Sequence, residues 1–298
     1  MATIEAAMDA PAVEGRMNYL APGSLINRRF LAPGREVNTG EYLPYTVTIR
    51  DARPREADFT LASHGFMLAR HPTAMRNFLD EQEVSATYLA EAAEAVRRMT
   101  GADRVAVTGW MLRISGDLSA YTRQEVNHRQ VGGVQPPAGA VHVDCSPDRV
   151  DGRVQAIYQQ RFPGDPPYGR YLYMGFWRAF SPPPQDYPLA LCDGNSVGDD
   201  EGVPNTLVVV DKIPTREEML RAVPDEDKAI AAAIFHHRAQ HRWWYFSNMT
   251  REEVLFFVFH DSRRVRPWRV PHCAFLDTSR PDALLRQSVE LRAVAYFW

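Results

Sequence analysis

Apolar and polar side chains alternate one by one in Tyr45-Thr-Val-Thr-Ile-Arg50, the period of a half-buried β-strand. Shorter runs with the same bias, Phe59-Thr-Leu and Gly65-Phe-Met-Leu-Ala, follow. Asp80-Glu-Gln-Glu then opens a different pattern: Val84, Tyr88, Leu89, Ala92, Ala95 and Val96 recur at helical spacing through about Met99, and Thr100-Gly-Ala-Asp ends it. The stretch 105–114 is strand-like, whereas 148–165 has mixed spacing compatible with a helix. Aromatic and β-prone residues crowd 171–178, a strand, and short buried-looking strands are expected at 189–192 and 206–210. Residues 217–222 and 225–238 read as helices, 243–246 as a strand, and Thr250-Arg-Glu-Glu as a helix start with a capping box. Two further strands are expected at 254–259 and 288–297. Many short strands between turns, with helices at few places, predict a mainly β protein, a sandwich or barrel with peripheral helices. No repeat or low-complexity linker interrupts it, so one domain is expected over residues 1–298, with 1–15 as a loose tail.

Composition narrows the function classes. A formal net charge of -3 lacks the basic footprint of a nucleic-acid binder. Nearly all of the positive charge is arginine, the only lysines being Lys212 and Lys228. Three scattered cysteines form neither a disulfide framework nor a metal knuckle, which favours a reducing cytoplasm. No run approaches the roughly 18 apolar residues of a membrane span, and the acidic N-terminus has no apolar core of a signal peptide. These numbers favour neither a nucleic-acid nor a membrane partner; oligomeric state stays open, a homodimer being one option.

Chemistry concentrates in Gly139-Ala-Val-His-Val-Asp-Cys-Ser146. In an extended strand His142 and Asp144 point to one face while Val141, Val143 and Cys145 point to the other. An imidazole with a carboxylate is two thirds of the facial triad that binds non-haem Fe(II) and leaves positions open. Pro271-His-Cys-Ala-Phe supplies the third candidate, His272. Fourteen positions later Arg286-Gln-Ser288 places a guanidinium and a hydroxyl on one strand face, a grip for a carboxylate. Rival sites carry less. His237 and His241 stand i, i+4 on the expected helix without a glutamate base between them in the zinc-protease pattern. A nucleotide-binding glycine loop after a strand is missing, as is a G-x-S-x-G elbow.

The order H-x-D, distal His, R-x-S resembles the Fe(II)/2-oxoglutarate-dependent oxygenases, and more narrowly the CmcJ/AsaB family of gibberellin-desaturase-like hydroxylases. The resemblance runs nearly end to end. It includes Asn18-Tyr-Leu, Asp58-Phe-Thr-Leu, Val141-His-Val-Asp, Phe176-Trp-Arg178, Pro188-Leu-Ala-Leu-Cys-Asp193, Trp244-Tyr-Phe, Pro271-His-Cys-Ala-Phe and Ser288-Val-Glu-Leu-Arg292. It implies a double-stranded β-helix (jelly-roll, cupin-like) core, with His142, Asp144 and His272 on Fe(II). Arg286 and Ser288 would hold 2-oxoglutarate, and O2 would complete the cosubstrates. Arg292 also lies in a family-like block but stands about 20 Å farther along the strand, so only one of the two arginines can hold that carboxylate. Trp110, Arg113, Phe176, Trp177 and Arg178 are candidates for the pocket. The chain departs from the family at Gly175, where asparagine is expected, and at Ala179, where proline is usual. The implied activity is hydroxylation, desaturation or oxidative rearrangement of a specialised metabolite, with 2-oxoglutarate going to succinate. The alternative is a zinc-binding or non-catalytic cupin-like accessory protein.

Overall fold

Strand alternation builds the interior. In the computed structural model, which describes residues 10–33, 35–118 and 134–298, the strands form two facing sheets. The larger runs, in spatial order, β1 (Ala12–Leu20), β4 (Tyr42–Asp51), β13 (Trp243–Tyr245), β10 (Leu189–Cys192), β15 (His272–Ala274), β8 (His142–Val143), β12 (Ala231–Ile234), β11 (Val203–Val209), β2 (Arg28–Ala32) and β3 (Arg35–Asn38). The smaller runs β5 (Phe66–Arg70), β14 (Glu253–Asp261), β9 (Arg170–Ala179), β16 (Gln287–Phe297), β6 (Arg104–Ile114) and β7 (Val134–Gln135).

The pleat of the smaller sheet feeds two cores. Tyr171, Tyr173 and Trp177 of β9, Phe257 and Phe259 of β14, and Val294 and Tyr296 of β16 face inward, against Ile49, Leu191, Trp243 and Cys273 of the larger sheet. The intervening residues, Leu172, Met174, Phe176, Phe256, Leu291 and Ala293, face outward onto a helical layer. That layer is one continuous helical stretch: a first turn at Glu81–Glu83, a π-helical stretch at Val84–Tyr88, and α1 (Leu89–Thr100). Asp80 caps its start by accepting from the Gln82 and Glu83 amides, and Gly101 ends it at φ 70°, a conformation that glycine adopts without strain. A second helix, α2 (Val150–Arg161), buries Val150, Val154 and Tyr158 in the inner core.

Several expectations are corrected. The tail is shorter than 1–15, since residues from Ala12 onward pair with β4, Ala12 opposite Arg50; residues 1–9 lie outside the described set. The expected helix at 225–238 is a single 3-10 turn, Glu226–Lys228, followed by strand β12. Alanine's helix preference is worth under about 1 kcal/mol per residue. Here it loses to ladders on both sides, Ala231 opposite Thr206 and Ala233 opposite Val143. Thr250 does exchange hydrogen bonds with Glu253, but they close a turn that leads directly into β14. A capping pattern marks a turn of backbone; the following Val-Leu-Phe-Phe-Val-Phe run decides that it becomes a strand.

Candidate active site

β8 and β15 are neighbours in the larger sheet, and His142 stands opposite His272 in their register. Asp144 follows where the chain bends away from β8. The pairing brings ligand atoms of all three residues within 4.8 Å of one another. His142 Nε2 is 3.6 Å from Asp144 Oδ1, and the two imidazole rings lie 4.3 Å apart.

The ring nitrogens are already sorted. His142 Nδ1 lies 2.8 Å from the Ala140 carbonyl oxygen, and His272 Nδ1 lies 3.2 Å from that of Val270. A carbonyl oxygen only accepts, so both Nδ1 atoms carry the proton and both Nε2 lone pairs are free for a metal. Burial disfavours the imidazolium: it lowers the pKa of His142, and it lowers that of His272 to about 3. Burial pushes the Asp144 carboxyl the other way, but the Arg292 guanidinium and the two imidazoles outweigh it and hold the carboxyl well below the usual range. Two neutral imidazoles and a carboxylate are the donor set that suits Fe(II), so the residues fit the ion.

Arg292 explains the carboxylate's orientation. Its Nε donates to Asp144 Oδ2 at 2.9 Å and a terminal nitrogen to Oδ1 at 3.3 Å. Behind it Glu290 lies 3.5 Å from Arg292 and accepts two bonds from Arg113, at 2.9 and 3.0 Å. Ser288, Glu290 and Arg292 share the inward face of β16, and the result is a buried charge ladder, Arg113–Glu290–Arg292–Asp144. Glu290 was missed in the sequence, although the parity that linked Arg286 to Ser288 reaches it two residues later.

Arg286 is 1% exposed and donates to the Tyr187 carbonyl at 2.7 Å, with its guanidinium 5.7 Å from the Trp177 ring. It forms no ion pair among the described residues, and its Nε has no partner. Burial, with Arg113 adding to it, lowers its pKa. It also acts on the thiol of Cys273, next to His272: burial raises that thiol's pKa and Arg286 opposes the rise. The Ser288 hydroxyl is fully buried and donates to the Arg113 carbonyl at 3.2 Å.

The pocket candidates divide by face. Trp177, Arg113 and Arg292 look inward. Trp110 and Phe176 belong to the outer core under α1, and Arg178 bonds Tyr88 and the His71 carbonyl there. Consecutive strand residues 176, 177 and 178 cannot all line one pocket. Gly175 faces inward, opposite both Arg292 and Phe257. A Cβ there would meet the Phe257 ring at 2.5 Å, and that ring packs 4.8 Å from His272. The alternative histidines separate: His237 stacks on Tyr45 at 4.2 Å, while His241 bonds Glu201 at 2.6 Å.

Facing sheets that present two imidazoles and a carboxylate from adjoining segments define the class of non-haem Fe(II)/2-oxoglutarate-dependent oxygenases. A family model described as an oxidoreductase/YMDC permease-like domain matches residues 17–296. The hydroxylase/desaturase CTB9 of Cercospora beticola is 33% identical over 267 residues, 87% of this chain and 78% of that protein. The alpha-ketoglutarate-dependent dioxygenase phiK of a fungal species (strain ATCC 74256) is 28% identical over 96% of each chain. The chain belongs to this family of oxygenases. In fold it matches the iron and alpha-ketoglutarate-dependent endoperoxidase NvfI with a TM-score of 0.73 at 24% identity, over 96% of this chain and 98% of that one. The core is thus a double-stranded β-helix. No described helix is long and apolar enough to cross a membrane.

Proposed function

We propose that His142, Asp144 and His272 hold Fe(II), that Arg286 with Ser288 grips the far carboxylate of 2-oxoglutarate, and that the chain, as one domain, oxidises a small specialised metabolite. One observation carries the reading: two Nε2 lone pairs, freed by their Nδ1–H bonds, converge with one carboxylate within 4.8 Å. When bound, Fe(II) with 2-oxoglutarate and O2 supplies the oxidising power for C–H cleavage, the keto acid leaving as succinate and carbon dioxide.

The protein's own share is orientation and exclusion of water. The Ala140 and Val270 carbonyls fix the two imidazoles, and Arg292 fixes Asp144 by both oxygens, most closely Oδ2, with Oδ1 also turned to His142. Because Arg292 is committed to Asp144, Arg286 is the arginine left for the cosubstrate. A buried guanidinium without an anion is costly, and a carboxylate from outside relieves that cost. Ser288 joins by turning its hydroxyl from the Arg113 carbonyl. Phe257 and Phe259 pack against His272 and keep water from that side.

The test is anaerobic addition of Fe(II) and 2-oxoglutarate, which should give a weak visible charge-transfer band, with slow succinate formation in air. Asp144→Ala should abolish both. A folded wild-type protein that binds zinc but shows no band and no succinate would instead be an accessory protein of the cupin type.

A further inference from the structure

A cavity of about 410 Å³ opens where the chain leaves β8 and enters α2. Its volume lies in the range of small-molecule sites. Cys145 and Ser146, which line it, directly follow Asp144, so its inner wall is the same bend that carries the carboxylate of the triad.

Three features of that wall call for an anion. The Ser146 residue is 1% exposed, and its hydroxyl has no hydrogen-bond partner. Arg153 lines the cavity, half-buried, and makes no hydrogen bond or ion pair among the described residues. The first turn of α2 borders the cavity with no side-chain cap at Arg149, and beside Gly152 there is open space. A 12-residue helix start without a side-chain cap favours negative charge, against which stands Asp151 in its first turn, accepting from the Tyr171 hydroxyl. Arg149 itself is engaged, donating to Thr206 Oγ1 at 2.9 Å and toward the Ala229 carbonyl at 3.4 Å. The acids on the lining, Asp148 and Asp227, are exposed at the mouth, where water screens them. His142, Asp144 and His272 are not among the cavity's lining residues; the Cys145–Ser146 segment, which directly follows Asp144, is what joins the cavity wall to the triad.

We propose that this cavity is a binding site for an organic carboxylate, gripped by Arg153, the Ser146 hydroxyl and the first turn of α2, and that its occupant bears on Asp144 through the Cys145–Ser146 bend. This carboxylate site stands on the cavity's own residues and does not depend on the oxygenase reading above.

The probe is 2-naphthoate against its neutral isostere 2-naphthamide, titrated by fluorescence into protein loaded anaerobically with Fe(II) and 2-oxoglutarate, so that Arg286 is already engaged. The acid should bind at least about ten-fold tighter than the amide, the scale of a charge-assisted pair in a partly buried site. Arg153→Gln should erase the preference, Ser146→Ala should reduce it, and Arg153→Lys should keep most of it. Melting profiles check folding, and if Arg153→Gln fails to fold, the Ser146→Ala and Arg153→Lys pair decides. Equal binding of acid and amide, no saturable binding of the acid, or a preference that survives loss of the guanidinium overturns the proposal. The visible band separates the two readings: no band with the preference intact removes the oxygenase but leaves the carboxylate site, and a band without the preference does the reverse.

Discussion

Arg286 sits at 1% exposure with one carbonyl bond, an aromatic ring beneath it and no acid within ion-pairing distance among the described residues. A cation in that position destabilises the fold unless an anion arrives. Arg286→Met, similar in length and uncharged, should therefore leave the apo protein as stable or more stable by about 1–4 kcal/mol, as when buried charges give way to apolar side chains. The same variant should lose the thermal stabilisation that 2-oxoglutarate gives the Fe(II)-loaded wild type, about 2.7 kcal/mol at a hundred-fold excess over Kd. Its KM for 2-oxoglutarate should rise more than its Fe(II) affinity falls. Thermal melts with and without the keto acid check both; a variant that 2-oxoglutarate still stabilises fully would move the anchor elsewhere. His142, Asp144 and His272, which the sequence offers as the ordered set H-x-D and distal His, do lie with ligand atoms within 4.8 Å of one another, although Asp144 sits in a bend beyond β8 rather than in the strand. The clamp of Arg292 on Asp144 was beyond it: the two are 148 positions apart on opposed sheets, and no local spacing encodes such a contact.

Among the elements, β8 and β15 carry the triad, and β16 carries the Glu290 and Arg292 that brace it. Glu290 stands between two guanidinium groups, and Glu290→Gln leaves Arg113 and Arg292 with one less charge to balance them. Arg292 then holds Asp144 less firmly. Fe(II) affinity, measured by anaerobic titration, should drop about ten-fold, the scale of losing a partner behind a metal ligand, while 2-oxoglutarate binding changes little. Gly175 of β9 is the second test. The Phe257 ring occupies the space that a side chain there would need, so Gly175→Asn should cost about 1–3 kcal/mol through overpacking and displace the ring from His272. Denaturant unfolding measures the first effect, and a weaker charge-transfer band reports the second. Elements were legible where one periodicity dominated, as in β9 or in the helix that Asp80 opens and Gly101 closes. They were illegible where small residues leave both options open. Alanines in β12 become a strand only because β8 and β11 flank them, and these partners lie far away in sequence.

At the scale of the whole molecule, burial of neutral histidines ties stability to pH. His260 is 1% exposed, neither ring nitrogen has a partner, and burial, with Arg264 adding to it, lowers its pKa to about 4. Its folded pKa lies below the unfolded value, so the unfolded chain binds the extra proton between about pH 6.5 and 4. Stability should be full above that window and decline as pH falls through it, by on the order of 3 kcal/mol from this group. His260→Phe, which keeps a ring between Tyr171 and Trp268, should flatten the slope of unfolding free energy against pH in that interval. An unchanged slope would assign the acid sensitivity to other groups.

The pairing of β8 with β15 has a consequence for when iron can be captured. His142 and His272 are separated by 272 − 142 = 130 positions, and the ribosome makes the first long before the second. A growing chain holds only an imidazole and a carboxylate, too weak a pair to retain a labile ferrous ion, until the segment carrying His272 has emerged and threaded in beside its partner. On the ligand assignment proposed above, the complete donor set exists only once the segment carrying His272 has paired with β8.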